Sequence, residues 1–367
     1  FLKNGNLLEA KGYQNYYEAN IRQKTKDQHS YQRFWQPIQA HLKKLYPQVK
    51  KIYLSLDGVY HLINLETLWN PKSGKYLGDE LAIEIVSNTK DLLYREKTQN
   101  GLDTTSQVYL FGFPQYDQFN PQPNSKGMTR GSTQKPRELP KIFTGGQIKP
   151  LPGTRKEINN IQTLLTGKLT STLYQGKTAT EENIKALKNP GVLHLATHGY
   201  FLKSNHLDAL KKMHRLQIAG TELKHYLENP LLRSGLVFTG AQASFKGEKQ
   251  PNDVQENGIL TAQEVINLDL DSTQLVVLSA CETGRGKIQN GEGVYGLQRA
   301  FLSAGAKNVL MSLWAVDDQA TQYFMQYFYT ALLQRQSIHK AYRIAQKRLR
   351  QDYPSPYYWG AFVLVRR

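Results

Sequence analysis

A short apolar run that ends at the chain's only cysteine constrains the fold most. Residues 274–284 read QLVVLSACETG, and the part from Gln274 to Ala280 carries no charged side chain. Such a run predicts a strand that is buried on both faces, as in a parallel sheet covered by helices. Cys281 follows at the carboxyl end of this strand, where ligands and catalytic groups collect in open α/β sheets. Its thiol is either a candidate nucleophile or a small buried hydrophobic group, the usual role of a free cysteine.

A second apolar strand ends in the same way. Residues 191–199 read GVLHLATHG, so His198 follows a predicted strand as Cys281 follows the other. If the two strands are parallel neighbours, the imidazole can reach the thiol, deprotonate it and later protonate a leaving amine. Glycines after each strand can expose backbone N–H groups to an oxyanion. The paired pattern predicts a dyad of Cys281 and His198, although a lone histidine at a strand end is often structural.

His194 and His198 have the H-x-x-x-H spacing that zinc sites use on helices. Here the segment has the pattern of a strand, and no third ligand is evident in the sequence. We therefore expect His194 to be a hydrogen-bonded structural histidine, and we expect neither a metal site nor a cofactor.

Two phosphate-binding motifs are incomplete. Gly176-Lys177-Thr178 ends like a Walker A loop, but Ser171 stands where that loop needs a glycine. Gly291, Gly293 and Gly296 spell G-x-G-x-x-G, yet the preceding strand ends about ten residues earlier, so the tight strand-to-helix turn is missing. These glycines are more consistent with a mobile loop after Cys281.

Strand and helix patterns alternate from residue 107 onward. The predicted strands are Val108–Phe111, Ser171–Tyr174, Val192–Thr197, Gly235–Phe238, Gln274–Ala280, Asn308–Leu313 and Phe362–Val365. The predicted helices are Thr154–Leu165, Thr180–Leu187, Thr261–Leu268, Val294–Ser303, Asp318–Leu333 and Ile338–Arg350, with a polar helical insert near 205–228. This alternation predicts βαβ units and a mainly parallel sheet. Segments near 114–150 and 240–258 lack periodicity, which indicates mobile loops.

The first hundred residues have a different pattern. A helix is predicted from Tyr31 to Leu45, a strand at Lys51–Leu56 and another at Leu81–Val86. Asp57-Gly58 predicts a hairpin turn into Val59–Leu65. We therefore expect a small strand-rich part over 31–106, a larger core of alternating strands and helices over 107–367, and a linker or the end of an upstream helical region over 1–30. The first residue is Phe1 rather than Met, which suggests a piece of a longer protein.

The chain is strongly basic, with 47 Lys and Arg against 30 Asp and Glu, a formal net charge of +17. Such a balance favours acidic partners, but the basic residues are scattered. Lys340, Arg343, Lys347 and Arg350 have the spacing of one solvated helix face. Since no aromatic platform accompanies the charge, direct nucleic-acid binding is not expected. No apolar run approaches the roughly 20 residues of a membrane span, and the single cysteine suits a reducing, cytoplasmic compartment.

Asp317 and Asp318 follow another predicted strand, Asn308–Leu313. Acidic residues at this position suit the N-terminus of the next helix, where the helix dipole stabilises negative charge. The same position beside the sheet edge makes both residues candidates for a substrate pocket.

Three segments together resemble the CHAT family of caspase-like peptidases, relatives of caspases and separases. They are VLHLATHGYF, LVVLSACETG and GEGVYGLQRAFLSAGAKNVLMSLWAVDDQAT, and SLDGVYHLINLETL and PYYWGAFVLV are similar to the ends of that family. The likeness runs from about residue 31 to the C-terminus. It implies a caspase-like α/β sandwich whose mainly parallel central sheet is flanked by helices, with a non-catalytic N-terminal part.

The resemblance also implies roles for individual residues. Cys281 matches the nucleophile and His198 the general base or proton donor, and the backbone N–H groups of Gly199 and Cys281 match the oxyanion hole. Asp317, Asp318 and Glu282 are candidates for the substrate pocket, and no arginine can be assigned to recognise aspartate. The implied activity is that of a cysteine endopeptidase acting on a protein substrate, controlled by a partner or by an upstream TPR-like region. The alternative is a catalytically silent module that binds a protein or an acidic partner.

Overall fold

The computed structural model describes residues 12–94, 101–102, 105–117, 147–201, 229–246, 256–279, 287–289 and 293–367. The strands are β1 (Lys51–Ser55), β2 (Trp69–Asn70), β3 (Lys75–Tyr76), β4 (Ala82–Val86), β5 (Val108–Pro114), β6 (Ser171–Gly176), β7 (Val192–Ala196), β8 (His198–Phe201), β9 (Ser234–Val237), β10 (Ile259–Thr261), β11 (Leu275–Leu278), β12 (Lys287–Gln289), β13 (Gly293–Tyr295), β14 (Asn308–Ser312) and β15 (Phe362–Arg366). The α-helices are α1 (Tyr13–Gln23), α2 (Gln36–Leu45), α3 (Leu77–Glu80), α4 (Pro152–Leu165), α5 (Glu181–Lys185), α6 (Ala241–Lys246), α7 (Ala262–Val265), α8 (Leu297–Ser303), α9 (Asp318–Leu333), α10 (Ile338–Asp352) and α11 (Pro356–Trp359). The predicted insert near 205–228 and most of the segment near 114–150 lie outside the described residues.

Eight strands form the central sheet, in the order β1-β4-β15-β14-β11-β7-β5-β6. The last five strands in this order are parallel to one another, and so are the first three. The two parallel blocks meet at β14 and β15, which pair antiparallel. The α/β fold with a mainly parallel sheet, predicted from the alternating pattern, is confirmed.

Helices cover the middle of this sheet. Every residue of β7, β11 and β14 is buried, which is typical of parallel strands with helices on both faces. Helix α9 contacts both α4 and α10, while α7 packs against α8. Among the described residues, no helix is both long and apolar enough to cross a membrane.

The two strands that precede the predicted dyad are direct neighbours. β7 and β11 pair in parallel, with Leu195 opposite Leu278. The backbone N–H of Ser279 donates to the carbonyl of Leu195 over 2.9 Å, so the pairing continues past the end of β11. The adjacency that the sequence pattern required is therefore present.

The hairpin predicted at Asp57-Gly58 is wrong. Gly58–Leu62 is a 3-10 helix, and the Asp57 side chain caps it by accepting from the N–H of Gly58. β1 pairs instead with β4, in parallel and over all five residues. Asp57-Gly58 does mark a turn, but this turn begins a 3-10 helix. The partner strand of β1 is β4, which lies farther along the chain.

A hairpin that the sequence did not predict lies after the Cys281 segment. β12 and β13 pair antiparallel, so the helix predicted from Val294 begins only at Leu297. This hairpin contacts the 3-10 helix Gly58–Leu62 of the N-terminal part. The chain just beyond the Cys281 segment is thus in contact with the N-terminal part.

The predicted solvated face of the last long helix is wrong for two of its four members. Arg343 binds the carboxylate of Glu66 and donates to the carbonyl of Gly78 at 2.8 Å. Arg350 binds Asp79 at 2.6 Å, whereas Lys340 and Lys347 are exposed. Helical spacing places the four residues on one side but does not show that the acidic N-terminal segment packs there. The boundary at residue 106 stays a prediction, since both parts share one sheet.

Candidate functional site

His198 begins a second sheet where the chain leaves the first. β7 ends at Ala196, and β8 starts at His198 in a three-stranded antiparallel sheet of the order β10-β9-β8. Thr197 lies at the crossing point and is fully buried. Its Oγ1 donates to the carbonyl of Val237 and lies 3.1 Å from the hydroxyl of Tyr116. These two bonds fix the backbone immediately before His198.

The imidazole of His198 is oriented by a backbone carbonyl. Its Nε2 lies 2.8 Å from the carbonyl oxygen of Lys149. A carbonyl can only accept, so Nε2 carries the proton and Nδ1 has the lone pair in the neutral ring. The ring of Tyr116 packs against the imidazole, with centroids 5.4 Å apart at an angle of 45°. A half-exposed histidine held in this way can take a proton at Nδ1 without changing its orientation.

The sequence reasoning missed Lys149, Tyr116 and Thr197 as parts of the site. Tyr116 and Lys149 stand at the two ends of the segment predicted to be a loop. The group that Lys149 contributes is a backbone carbonyl, which every residue has. The sequence therefore held no signal that could have singled it out.

The other predicted catalytic positions are described only in part. Cys281 and Glu282 lie outside the described residues, and Ser279 is the last described residue before them. Gly199 follows His198 in β8, with Leu236 as its partner in β9. The oxyanion-hole assignment of Gly199 and Cys281 stays a prediction.

His194 is a buried, hydrogen-bonded histidine, as expected from its place within a strand. Its Nε2 lies 3.1 Å from Oε1 of Glu157, and its Nδ1 lies 3.0 Å from the hydroxyl of Tyr329. Both ring nitrogens thus have protein partners. His194 and His198 belong to different sheets and contact different groups, so the H-x-x-x-H spacing does not form one site here.

The two adjacent aspartates have different environments. Asp317 caps α9, because its Oδ1 accepts from the N–H groups of Gln319 and Ala320 at 3.0 and 3.1 Å. The half-buried carboxylate of Asp318 lies over Gly153 at the start of α4, where a Cβ would collide with it. Gly153 is four residues after Lys149. Of the two aspartates, only Asp318 therefore faces the segment that orients His198.

Three glutamates surround Lys185 next to strand β10 of the three-stranded sheet. Glu181, Glu256 and Glu264 each offer an oxygen within 4.8 Å of the others, and Lys185 Nζ lies 2.7, 2.7 and 3.0 Å from them. Glu181 is fully buried and also accepts from the N–H groups of Gly258 and Ile259. Burial and the neighbouring Glu264 raise the pKa of Glu181 to about 8. The ammonium group already occupies the centre, so a cation would have to displace it.

Comparisons with known proteins identify the family of this chain. The family model of the CHAT domain matches residues 28–367. Tetratricopeptide repeat protein 28 of Homo sapiens is 25% identical over 321 residues, which are 86% of this chain and 12% of that protein. Tetratricopeptide repeat protein 28 of Mus musculus is 36% identical over 111 residues, or 29% of this chain and 4% of that protein. The chain thus spans only a small part of the curated relatives that it matches.

Two solved structures are similar at low identity. In the Saccharomyces cerevisiae separase-securin complex the match has a TM-score of 0.45 and 14% identity, and it covers 86% of this chain and 16% of that chain. For the Arg specific cysteine proteinase gingipain R, the match has a TM-score of 0.47 and 10% identity, and it covers 90% of this chain and 66% of that chain. The match of the family model over almost the whole length is decisive. This chain belongs to the CHAT domain family.

Proposed function

We propose that this chain is a cysteine endopeptidase in which Cys281 is the nucleophile and His198 the proton-transfer group. The pairing of Leu195 with Leu278 is the observation that carries the proposal. His198 comes three residues after Leu195, and Cys281 comes three residues after Leu278. This register of two parallel neighbouring strands supports a position of both side chains at the same sheet edge.

Covalent geometry limits how far the thiol can be from this edge. Ser279 is bonded to Leu195 through its backbone N–H, and Cys281 follows two residues later. Successive Cα atoms are about 3.8 Å apart, so the Cα of Cys281 is within about 7.6 Å of that of Ser279. This supports a thiol within reach of the imidazole.

The chemistry follows from the orientation of the ring. Nδ1 of His198 takes the proton of the thiol, and the thiolate attacks a peptide carbonyl to form a tetrahedral oxyanion. Backbone N–H groups of Gly199 and Cys281 would stabilise that charge. The imidazolium then protonates the leaving amine, and water hydrolyses the acyl-enzyme. Throughout, the carbonyl of Lys149 accepts a hydrogen bond from Nε2–H and stabilises the charged ring.

The position of Asp318 supports a preference for a basic residue before the scissile bond. Its carboxylate lies over Gly153, on the segment that continues from Lys149. A lysine or arginine side chain would complement this charge. Glu282, which follows the nucleophile directly, is a further candidate for the same pocket. Asp317 is committed to capping α9, so we assign it no role in the pocket.

A non-proteolytic interaction module is the second candidate. The relatives in human and mouse are named for tetratricopeptide repeats, and repeats of this kind are protein-binding solenoids. A TPR-like region or a regulatory partner could therefore act together with this domain. If the chain is such an interaction module, the thiol of Cys281 and the imidazole of His198 would not interact chemically.

Alkylation of the only cysteine separates the two candidates without a known substrate. The rate of carboxymethylation by iodoacetate is measured by mass spectrometry from pH 5 to pH 9 for the wild type, His198→Ala and the exposed control His41→Ala. If His198 stabilises the thiolate, its removal slows alkylation at pH 6 by about tenfold, since one unit of thiol pKa changes the thiolate fraction tenfold. Identical profiles for all three proteins would favour the module.

Peptide libraries then test cleavage and specificity. The wild type, with any required activator, should cleave peptides with Lys or Arg before the scissile bond, and Cys281→Ala should cleave none. Asp318→Asn should lower kcat/KM for these peptides by about tenfold or more, with a smaller effect on peptides with a neutral residue at that position. Cleavage that persists in Cys281→Ala would refute the proposal.

A further inference from the structure

His198 belongs to a closed ring of contacts, and Gln242 is the member of this ring that lies farthest along the chain. The ring runs from the imidazole of His198 to the carbonyl of Lys149, and along the chain to Ile148. From there it continues through Gln242 to Tyr116 and returns to His198. Each step is a hydrogen bond, a ring contact or a covalent link.

Gln242 joins two distant parts of the backbone. Its N–H donates to the carbonyl of Tyr116 over 3.0 Å, and its Oε1 accepts from the N–H of Ile148 over 2.6 Å. Tyr116 and Ile148 stand on either side of the segment 118–146, so Gln242 fixes the chain on both sides of it. The side chain is almost completely buried, with 2% exposure.

The local structure around Gln242 differs from the sequence expectation. The sequence predicted no regular structure for 240–258, whereas Ala241–Lys246 forms a helix with four buried residues. Gly240 precedes it with φ of 86°, a left-handed conformation that glycine adopts without strain. The N–H of Gly240 donates to the carbonyl of Gln115. The turn and the helix therefore place Gln242 in contact with the backbone at Tyr116 and at Ile148.

The bond to Ile148 acts on the carbonyl that orients His198. Ile148 immediately precedes Lys149. Pro150 follows Lys149 and restricts the backbone of Lys149 to extended conformations. Ile148 is itself buried, so its N–H needs an internal acceptor. Oε1 of Gln242 supplies that acceptor. Without it, the Gln147–Ile148 peptide, which carries this N–H, would have to rotate towards another partner, and the rotation would displace the carbonyl of the adjoining residue Lys149.

We propose that Gln242 is a positioning residue for His198, which holds the Lys149 carbonyl in line with Nε2 and so fixes the ring orientation in which Nδ1 is the basic nitrogen. The catalytic meaning of this arrangement rests on the proposed function. The hydrogen-bonded state of the imidazole is nevertheless a property of the folded chain, and it can be measured without any reaction.

The test combines a spectroscopic measurement with the alkylation profile. In the full chain labelled with 15N-histidine, His198 is assigned by comparison with His198→Ala, and solvent exchange of its Nε2 proton is measured. Gln242→Met keeps the length but removes the acceptor, and Gln242→Glu keeps an acceptor oxygen. Gln346→Met is the matched control, because Gln346 is also a buried glutamine with side-chain hydrogen bonds, to Glu66 and Tyr342.

We expect exchange of the His198 Nε2 proton to be at least tenfold faster in Gln242→Met than in the wild type. Gln242→Glu and Gln346→Met should remain within about twofold of the wild type. Unchanged exchange in a folded Gln242→Met would overturn the proposal, and so would equal effects of Gln242→Met and Gln346→Met. If Gln242→Met does not fold, Gln242→Asn, which withdraws the acceptor by one methylene group, should show intermediate exchange, and wild-type exchange in this variant would overturn the proposal.

Alkylation of Cys281 distinguishes this proposal from the proposed function. If the dyad operates, Gln242→Met should shift the pH profile towards that of His198→Ala. Faster exchange in Gln242→Met together with identical alkylation of wild type and His198→Ala would support the positioning role and refute the dyad. A working dyad with a wild-type profile in Gln242→Met would refute the positioning role alone.

Discussion

Nε2 of His194 donates to Oε1 of Glu157 over 3.1 Å, in the centre of the sheet and four residues before His198. On the other side of the ring, the hydroxyl of Tyr329 lies 3.0 Å from Nδ1. Burial and the charge of Glu157 raise the pKa of Tyr329 well above its ordinary value, so the phenol stays protonated and donates. Each of the two ring nitrogens of His194 thus has a protein partner.

Tyr329→Phe should therefore destabilise the fold without affecting the proposed dyad of Cys281 and His198. It leaves Nδ1 of a fully buried histidine without its donor, which costs about 1–3 kcal/mol. Urea denaturation followed by circular dichroism measures the loss, with Tyr16→Phe at an exposed position as the control. The alkylation profile of Cys281 should remain that of the wild type. A shift like that of His198→Ala would mean that His194 also acts on the thiol.

Arg343→Ala should be strongly destabilising because it removes an ion pair that links the last long helix to Glu66 in the N-terminal part. The buried carboxylate of Glu66 accepts hydrogen bonds from Arg343, Tyr342 and Gln346. Removing one partner of a buried ion pair costs about 3–5 kcal/mol, and the remaining two donors place this case near the lower value. Lys347→Ala, on an exposed position of the same helix, should change the free energy of unfolding by less than about 0.5 kcal/mol. Equal effects of the two substitutions in urea denaturation would contradict this role of Glu66.

The Glu181 carboxyl should make stability depend on pH. Burial and Glu264 raise its pKa to about 8 in the folded protein, against about 4.3 in an unfolded chain. Between these values the folded state binds more protons, so this group's contribution to stability is largest below about pH 4 and is lost as the pH rises towards 8. Glu181→Gln cannot lose a proton, so its stability relative to the wild type should rise over that interval.

Urea denaturation of both proteins at pH 5, 6, 7 and 8 measures this dependence. Glu80→Gln serves as the control because Glu80 is an exposed carboxyl in the N-terminal part. A constant difference between Glu181→Gln and the wild type across the series would show that Glu181 titrates normally.

Asp317→Ala should affect stability rather than specificity. The substitution removes the N-cap of α9, which accepts two backbone N–H bonds, at a cost of about 0.5–2 kcal/mol. Asp317→Ser keeps a capping oxygen and should recover most of the loss. Thermal denaturation measures both, and peptide preference should match the wild type. A change of preference in Asp317→Ser would return Asp317 to the list of pocket candidates.

Local patterns predicted several elements closely. α9 was expected at Asp318–Leu333 and is found there, because its apolar period and its cap both lie within the segment. The strand before His198 and the strand before Cys281 were also recognised from short apolar runs. By contrast, the first strand was paired wrongly. Its true partner β4 begins 27 residues after β1 ends, and backbone pairing over that distance has no local signature.

The sequence by itself determined which side chains could perform chemistry here. Cys281 and His198 are recognisable because their residue types are rare, reactive and placed directly after buried strands. Only the tertiary structure decided what surrounds the imidazole. The carbonyl of Lys149, 49 residues before His198, contacts the imidazole, and the side chain of Gln242, 44 residues after His198, binds the N–H of Ile148 next to Lys149. A backbone carbonyl is identical in every residue, so its position becomes defined only when the chain has folded.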